Sequence, residues 1–163
     1  RLHDDLQRLI TSLGMISTAY NVEAIVDQND NIYILELGAR SGGSLIPQIT
    51  ECATGVNMVT YVIKAAMGED CSDLIMSPSK GCWSNFMVHA KTSGRYSGIW
   101  FDDNFRQNNL VEFVTDINKG DEVHEFRDAQ DAIGTLIVKY DSVEQMFHMI
   151  EHMDDYVKVI VNG

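Results

Sequence analysis

The chain has 163 residues, 45% of them hydrophobic, and a net charge of −12. That length gives a real core to one domain or to two small ones, and no apolar run approaches the roughly 20 residues of a membrane span. The acidity, with no basic patch, serves solubility and argues against a nucleic-acid partner, which clustered Lys and Arg would have to meet.

Leu2, Leu6, Leu9, Ile10 and Leu13 recur at helical spacing, and Gly14 follows as a stop. The chain opens inside this helix on Arg1 rather than Met, so further sequence is expected upstream. Residues 18–27 and 31–37 are rich in Val, Ile and Tyr and read as strands joined by a hairpin turn at Gln28-Asn29-Asp30-Asn31. Pro47 suits the first turn of a helix that ends at Gly55. Asn57 caps the next, which stops near Gly68. Residues 69–81 hold the second proline and little periodicity, marking a subdomain boundary. Residues 82–91 then alternate as a strand, Thr92-Ser93-Gly94 turns, and residues 95–101 return. Residues 110–117 and 133–140 are further strands. Ser142 and Gln145 form a capping box for a helix running to about Asp154, and residues 156–161 close the chain as a strand. The expected fold class is α+β: an antiparallel sheet with helices over residues 1–77, then a small β-rich subdomain with one helix over residues 78–163.

The hairpin has a chemical consequence. With Asn29-Asp30 as a two-residue loop, Asp27 faces Ile32, Glu23 falls opposite Glu36 and Asn21 falls opposite Gly38. A symmetric four-residue loop keeps these pairs, and a three-residue loop shifts them by one. Directly opposed residues share a face with Cβ atoms about 4.5–5.5 Å apart. Two ionised carboxylates there repel unless one takes a proton or a cation sits between them. Mg²⁺ held by carboxylates and substrate phosphates is one solution. The plainer alternative leaves Glu23 as an exposed strand residue and pairs Glu36 with Arg40. Arg40 lies just past the strand end and offers a planar fork for carboxylate or phosphate. Gly42 and Gly43 let backbone amides approach an anion. An ordinary loop with one surface arginine is the bland reading of the same residues.

The stretch "NVEAIVDQNDNIYILELGARSGG" resembles the metal-binding hairpin of the ATP-grasp enzymes, in which an acidic or amide residue on one strand faces a strand ending in Glu-x-Asn-x-Arg. Glu23, Glu36 and Arg40 match that pattern. "PQITECATGVNMVTYVIKAAMGE" is similar to the two helices that follow in biotin carboxylase-like and carbamoyl phosphate synthetase-like members, and the later chain resembles their small β-rich ending. The resemblance implies an ATP-grasp C-terminal lobe from a ligase that joins a carboxylate to an amine or other nucleophile through an acylphosphate. ATP and Mg²⁺ (or Mn²⁺) are the implied cofactors, with Glu23 and Glu36 bridging metal and phosphates. Arg40 is the implied catalytic group, and Arg40, Ser41, Gly42 and Gly43 the substrate-binding stretch. The implied partners are a small-molecule carboxylate and its nucleophile, with a homodimer as the candidate assembly. One departure stands out: the family's Asn falls on Gly38, which has no ligand to give. Asn21, or a water, is the expected substitute. Family members also carry an upstream lobe that holds the phosphates and adenine, so this chain alone is not expected to bind ATP well. The competing class is a binding or structural module that kept the fold and lost the chemistry.

Other constellations carry less. His148-Met149-Ile150-Glu151-His152 matches the H-x-x-E-H zinc pattern, but a wheel with Val143, Met146, Phe147, Ile150 and Met153 on the apolar face puts both histidines in solvent. His3, His89 and His124 have no ligand spacing. Ser41 and Ser44 have no base nearby in sequence. Met146, Met149 and Met153 read as core and rim. Residues 120–123 read as a turn, and the Asp pairs at 102–103 and 154–155 as solvated loop charge. Cys52, Cys71 and Cys82 are odd in number and lack C-x-x-C spacing, as reduced thiols of a cytoplasmic protein would be. No signal peptide is visible.

Overall fold

A computed structural model describes residues 2–15 and 17–163. Helix α1 (Leu2–Ser12) leads to an antiparallel hairpin of β1 (Asn21–Val26) and β2 (Ile32–Gly38). Two helices follow, α2 (Ile46–Thr54) and α3 (Met58–Ala66). Pro47 sits in the first turn of α2, where its missing N–H costs nothing. Gly55 ends that helix at φ 79°, a left-handed conformation that glycine adopts without strain. The Asn57 side chain accepts from the Thr60 amide and caps α3. Residues 67–81 contain no helix or strand, as their composition leads one to expect. They are tied back by the Lys80 amide on the Ala53 carbonyl at 2.7 Å.

The remainder packs two three-stranded antiparallel sheets. One has the order β3 (Cys82–His89), β7 (Ala132–Tyr140), β5 (Leu110–Val114); the other has β6 (Glu122–Val123), β4 (Gly94–Phe101), β8 (Val157–Asn162). The expected return of residues 95–101 alongside residues 82–91 is therefore corrected. β3 and β4 lie in different sheets, and residues 90–93 cross between them. The Asp pair at 102–103 begins helix α4 (Asp103–Asn108), with the Asp102 carboxylate accepting from the Phe105 amide. The turn read at 120–123 contains the short strand β6, paired with β4.

Val88, Tyr96, Phe105, Leu136, Val138 and Met149 belong to one buried cluster, closed over by α5 (Val143–Glu151) and α6 (Met153–Tyr156). The capping box at α5 is skewed: Ser142 caps the Gln145 amide, but the Gln145 side chain reaches the Asp141 amide. The helix breaks at His152 rather than running to Asp154. Its inward side carries Met149, and Phe147 is 60% exposed, which corrects the expected apolar face. The second unit accordingly holds several helical segments, not one.

The two units meet on the far side of β7. Ile137 is fully buried yet outside the main cluster. It pairs with Asn85 across β3, so the two share a face, and there the Asn85 amide donates to the Ser44 carbonyl at 2.9 Å. The segment leading into α2 is thereby moored to the second sheet.

Candidate functional site

Glu23 faces Glu36, and Asn21 faces Gly38, in the β1–β2 register. The route to that register differs from the expected one. Val26 pairs with Ile32, so the loop is the five residues 27–31, an odd number that shifts the pairing by one. A β-bulge restores it: Glu23 pairs with Glu36 and Ala24 with Ile34, leaving Leu35 as the extra residue.

Asp27, which sequence reasoning passed over, builds the loop. Its carboxylate accepts from the amides of Asn29 (2.8 Å) and Asn31 (2.9 Å) and from the Asn31 side chain (3.0 Å). The Asn31 side chain, then the Asn31 and Asn29 amides, hold the Asp27 carboxyl below its ordinary value of 3.8. Asp30 takes the left-handed conformation at φ 60°. The signal was present in the sequence as an Asp followed by Asn at the second and fourth positions, which is Asx-turn chemistry.

Alternation places Asn21, Glu23, Glu36 and Gly38 on one face. Glu23 and Glu36 are exposed there, not buried in an apolar strand. The opposite face bears Val22, Ala24, Ile32, Ile34 and Leu37, all partly buried. The chain leaves β2 through a tight turn, the Arg40 amide donating to the Gly38 carbonyl at 2.8 Å. A side chain built on Gly38 would point between Arg40 Cγ at 3.7 Å and Glu36 Oε1 at 3.8 Å. The guanidinium and the second carboxylate therefore flank the space beside Gly38. No ion pair joins Glu36 to Arg40 among the described residues; Arg40 instead donates to the Ser41 carbonyl at 3.0 Å. Asn21 is not among the three atoms nearest to where a Cβ on Gly38 would stand. Its Oδ1 lies 2.9 Å from where a Cβ on Gly42 would stand, so Gly42 is the residue that makes room for it.

Ser44 (φ 49°) and Leu45 (φ 62°) are successive left-handed residues without being glycine, a strained entry to α2. Asn85 holds Ser44 in that state, as described above. No local sequence signal links residues 41 positions apart.

Among the described residues no group of three or more His, Cys, Asp or Glu could hold a metal alone. The donor set at the hairpin is two carboxylates and an amide, all oxygen. This suits Mg²⁺, which takes one or two carboxylates and completes its shell with phosphates and water. The H-x-x-E-H pair is a surface feature: the His148 and His152 rings lie 4.6 Å apart, and His152 Nδ1 is 2.8 Å from the His148 carbonyl.

Comparison with known proteins bears on this geometry. Residues 1–74 match the family model "Carbamoyl-phosphate synthase L chain, ATP binding domain". No curated protein matches the chain. Among solved structures, phosphoribosylglycinamide synthetase from Anaerococcus prevotii is 23% identical over 98% of this chain and 41% of its own, with a TM-score of 0.79. L-amino acid ligase from Bacillus licheniformis is 19% identical over 99% of this chain and 40% of its own, with a TM-score of 0.82. The biotin carboxylase domain of Hydrogenobacter thermophilus 2-oxoglutarate carboxylase, solved with MgADP and bicarbonate, is 21% identical over 95% of this chain and 34% of its own, with a TM-score of 0.66. The chain thus spans about two fifths of the length of the first two. The chain thus carries the sequence of this ATP-binding-domain family over residues 1–74 and shares the fold of these ligases over nearly all its length.

Proposed function

We propose that this chain supplies the metal and carboxylate end of an ATP-dependent carboxylate–amine ligase. The observation that carries the reading is the opposed pair Glu23–Glu36 on an open face, with Arg40 beside it and unpaired with either. Glu23 and Glu36 are the residues to hold Mg²⁺, with the Asn21 amide oxygen on the same face. When bound, the ion neutralises the nucleotide's phosphate charge.

The residues divide the remaining work. Arg40 meets the anionic acid substrate or the transferring phosphoryl group. Because no carboxylate occupies its guanidinium, that fork is available for bidentate contact. The Ser41-Gly42-Gly43 backbone lines the approach. The acid's oxygen takes the terminal phosphoryl group from ATP, releasing ADP and forming an acylphosphate. An amine then attacks the acyl carbon; the C–N bond forms, the C–O bond to phosphate breaks, and the amine's proton leaves with solvent. These steps are proposed for the whole protein.

Mn²⁺ titration of the chain, followed by paramagnetic broadening of the β1 and β2 amides, tests the reading. Broadening centred on Glu23 and Glu36, weakened about tenfold in Glu36→Gln by loss of one ligand charge, is expected. Equal broadening in the variant would remove the metal role. One observation favours a second reading: Gly38 offers no ligand, as in a module that kept the hairpin and lost turnover. A whole protein that binds Mn²⁺ and ATP yet forms no ADP with any acid would favour that reading.

A further inference from the structure

We propose that the cleft between the glycine loop and the second unit is the seat of the amine substrate, a small primary ammonium with a short apolar body. This rests on the ligase reading for calling the occupant a substrate; the cleft itself does not. It encloses about 300 Å³, at the small end for ligand sites. Leu45, Met87 and Ile133 give it apolar wall, and Ser44, Asp116 and Thr135 give it polar wall. No Lys, Arg or His lines it, and Asp116 is its sole charge.

Three observations converge on a cation. Asp116 makes no hydrogen bond or ion pair among the described residues, so no group lining the cleft neutralises its one carboxylate. A net charge of −12 adds a field that draws cations. The apolar wall suits an alkyl body of a few carbons and offers nothing to a polyanion.

Position ties the cleft to the hairpin site. Ser44 and Leu45 form part of its wall in the strained left-handed conformation fixed from Asn85. Ser44 is four residues past Arg40, so the chain separates them by at most about 14 Å. A strained segment pinned between an anion-binding arginine and an unneutralised carboxylate is where two substrates of opposite charge can be held side by side. Asp116 is exposed and unpartnered, so its substitution leaves the fold intact.

The test is a ¹H–¹⁵N titration of the chain with n-propylammonium chloride at constant ionic strength, with sodium chloride and sodium butyrate as controls. Saturable shifts at Thr115, Asp116 and Thr135 are expected, with none from butyrate. Asp116→Asn should weaken binding at least tenfold. Ala129→Leu, which fills the cleft without altering charge, should do the same, and Glu36→Gln should bind as the parent does. Absent or non-saturating shifts, equal response to butyrate, or undiminished binding in Asp116→Asn would overturn the proposal. Propylammonium binding without Mn²⁺ broadening at Glu36 would leave the ammonium cleft standing and remove the ligase reading. Broadening without propylammonium binding would do the reverse.

Discussion

Gly38 and Gly42 stand four residues apart and meet opposite constraints. Around Gly38 a Cβ would find its nearest neighbours at 3.7–3.9 Å, ordinary contact, and those neighbours are Glu36 and Arg40. Gly38→Asn should therefore fold with a stability change within about 0.5 kcal/mol, as for other unstrained surface sites. Its new carboxamide oxygen would join the metal shell beside Glu36, and Mn²⁺ affinity measured calorimetrically should rise about tenfold, or ~1.4 kcal/mol. A flat affinity would mean that this face does not hold the ion. Around Gly42 a Cβ would stand 2.9 Å from Asn21 Oδ1 and 3.0 Å from Ile46 Cβ. Gly42→Ala should displace the Asn21 amide and cost about 1–3 kcal/mol in urea denaturation, the usual penalty of overpacking. The sequence suggested anion approach as the reason for this glycine; the structure gives a steric one, visible only once Asn21 and Ile46 are brought against it.

The hairpin as an element depends on Asp27. Its folded pKa is depressed below 3.8 by the Asn31 and Asn29 contacts, so the stabilisation it gives is present above about pH 3.8 and fades as pH falls through the lower folded value. The β1 and β2 amide signals should thus lose dispersion as the pH falls below about 3.8, before those of β7 do. Asp27→Asn should lower hairpin stability at pH 6 and flatten this acid dependence; an unchanged profile would assign the acid lability elsewhere. The same element shows what a sequence can reveal. Alternation and turn residues located both strands, and Glu23 opposite Glu36 was legible. Loop length and the bulge at Leu35 were not, and their two one-residue shifts cancel. Local chemistry signals that a turn exists, whereas its length and the bulge are settled by what each strand packs against. The same limit explains β3 and β4: Thr92-Ser93-Gly94 has turn composition, but β3 finds its partner in β7, some fifty residues on, through pairing that no local signal encodes. The caps on α3 and α5, by contrast, need only neighbours within three residues, and Asn57 and Ser142 were read correctly.

Across the whole molecule, burial is unequal. Among the described residues, Ala19 is the one buried hydrophobic residue before residue 82; every other lies from Val88 to Val157. The first unit leaves Ile25, Tyr33 and Leu35 more than half exposed on its two-stranded sheet, along with Ile63 on α3 and Met67 just past its end. Among the described residues this sheet has two strands, and an isolated two-stranded sheet is marginal in water, so in this chain the unit draws order from its seat on β3, through α2 and the Asn85–Ser44 bond. The second unit has β7 buried along Leu136, Ile137 and Val138 and should set the global stability. Hydrogen exchange should therefore separate the two. The Leu136 and Val138 amides should exchange only by global unfolding, and the Val22 and Ala24 amides about a hundredfold or more faster, through sub-global opening. Asn85→Ala should widen that gap, because it removes the tether on the Ile137 face of β7 and leaves Leu136 and Val138 on the other face untouched: a lost hydrogen bond of about 1 kcal/mol corresponds to roughly a fivefold faster hairpin exchange with the Leu136 and Val138 rates unmoved. Uniform acceleration of both sets would mean that the chain opens as a single cooperative body and that the β1–β2 hairpin shares the stability of the β-rich unit. Faster exchange confined to the hairpin would locate its order at the Ser44 mooring, the same contact that shapes the wall of the proposed ammonium cleft.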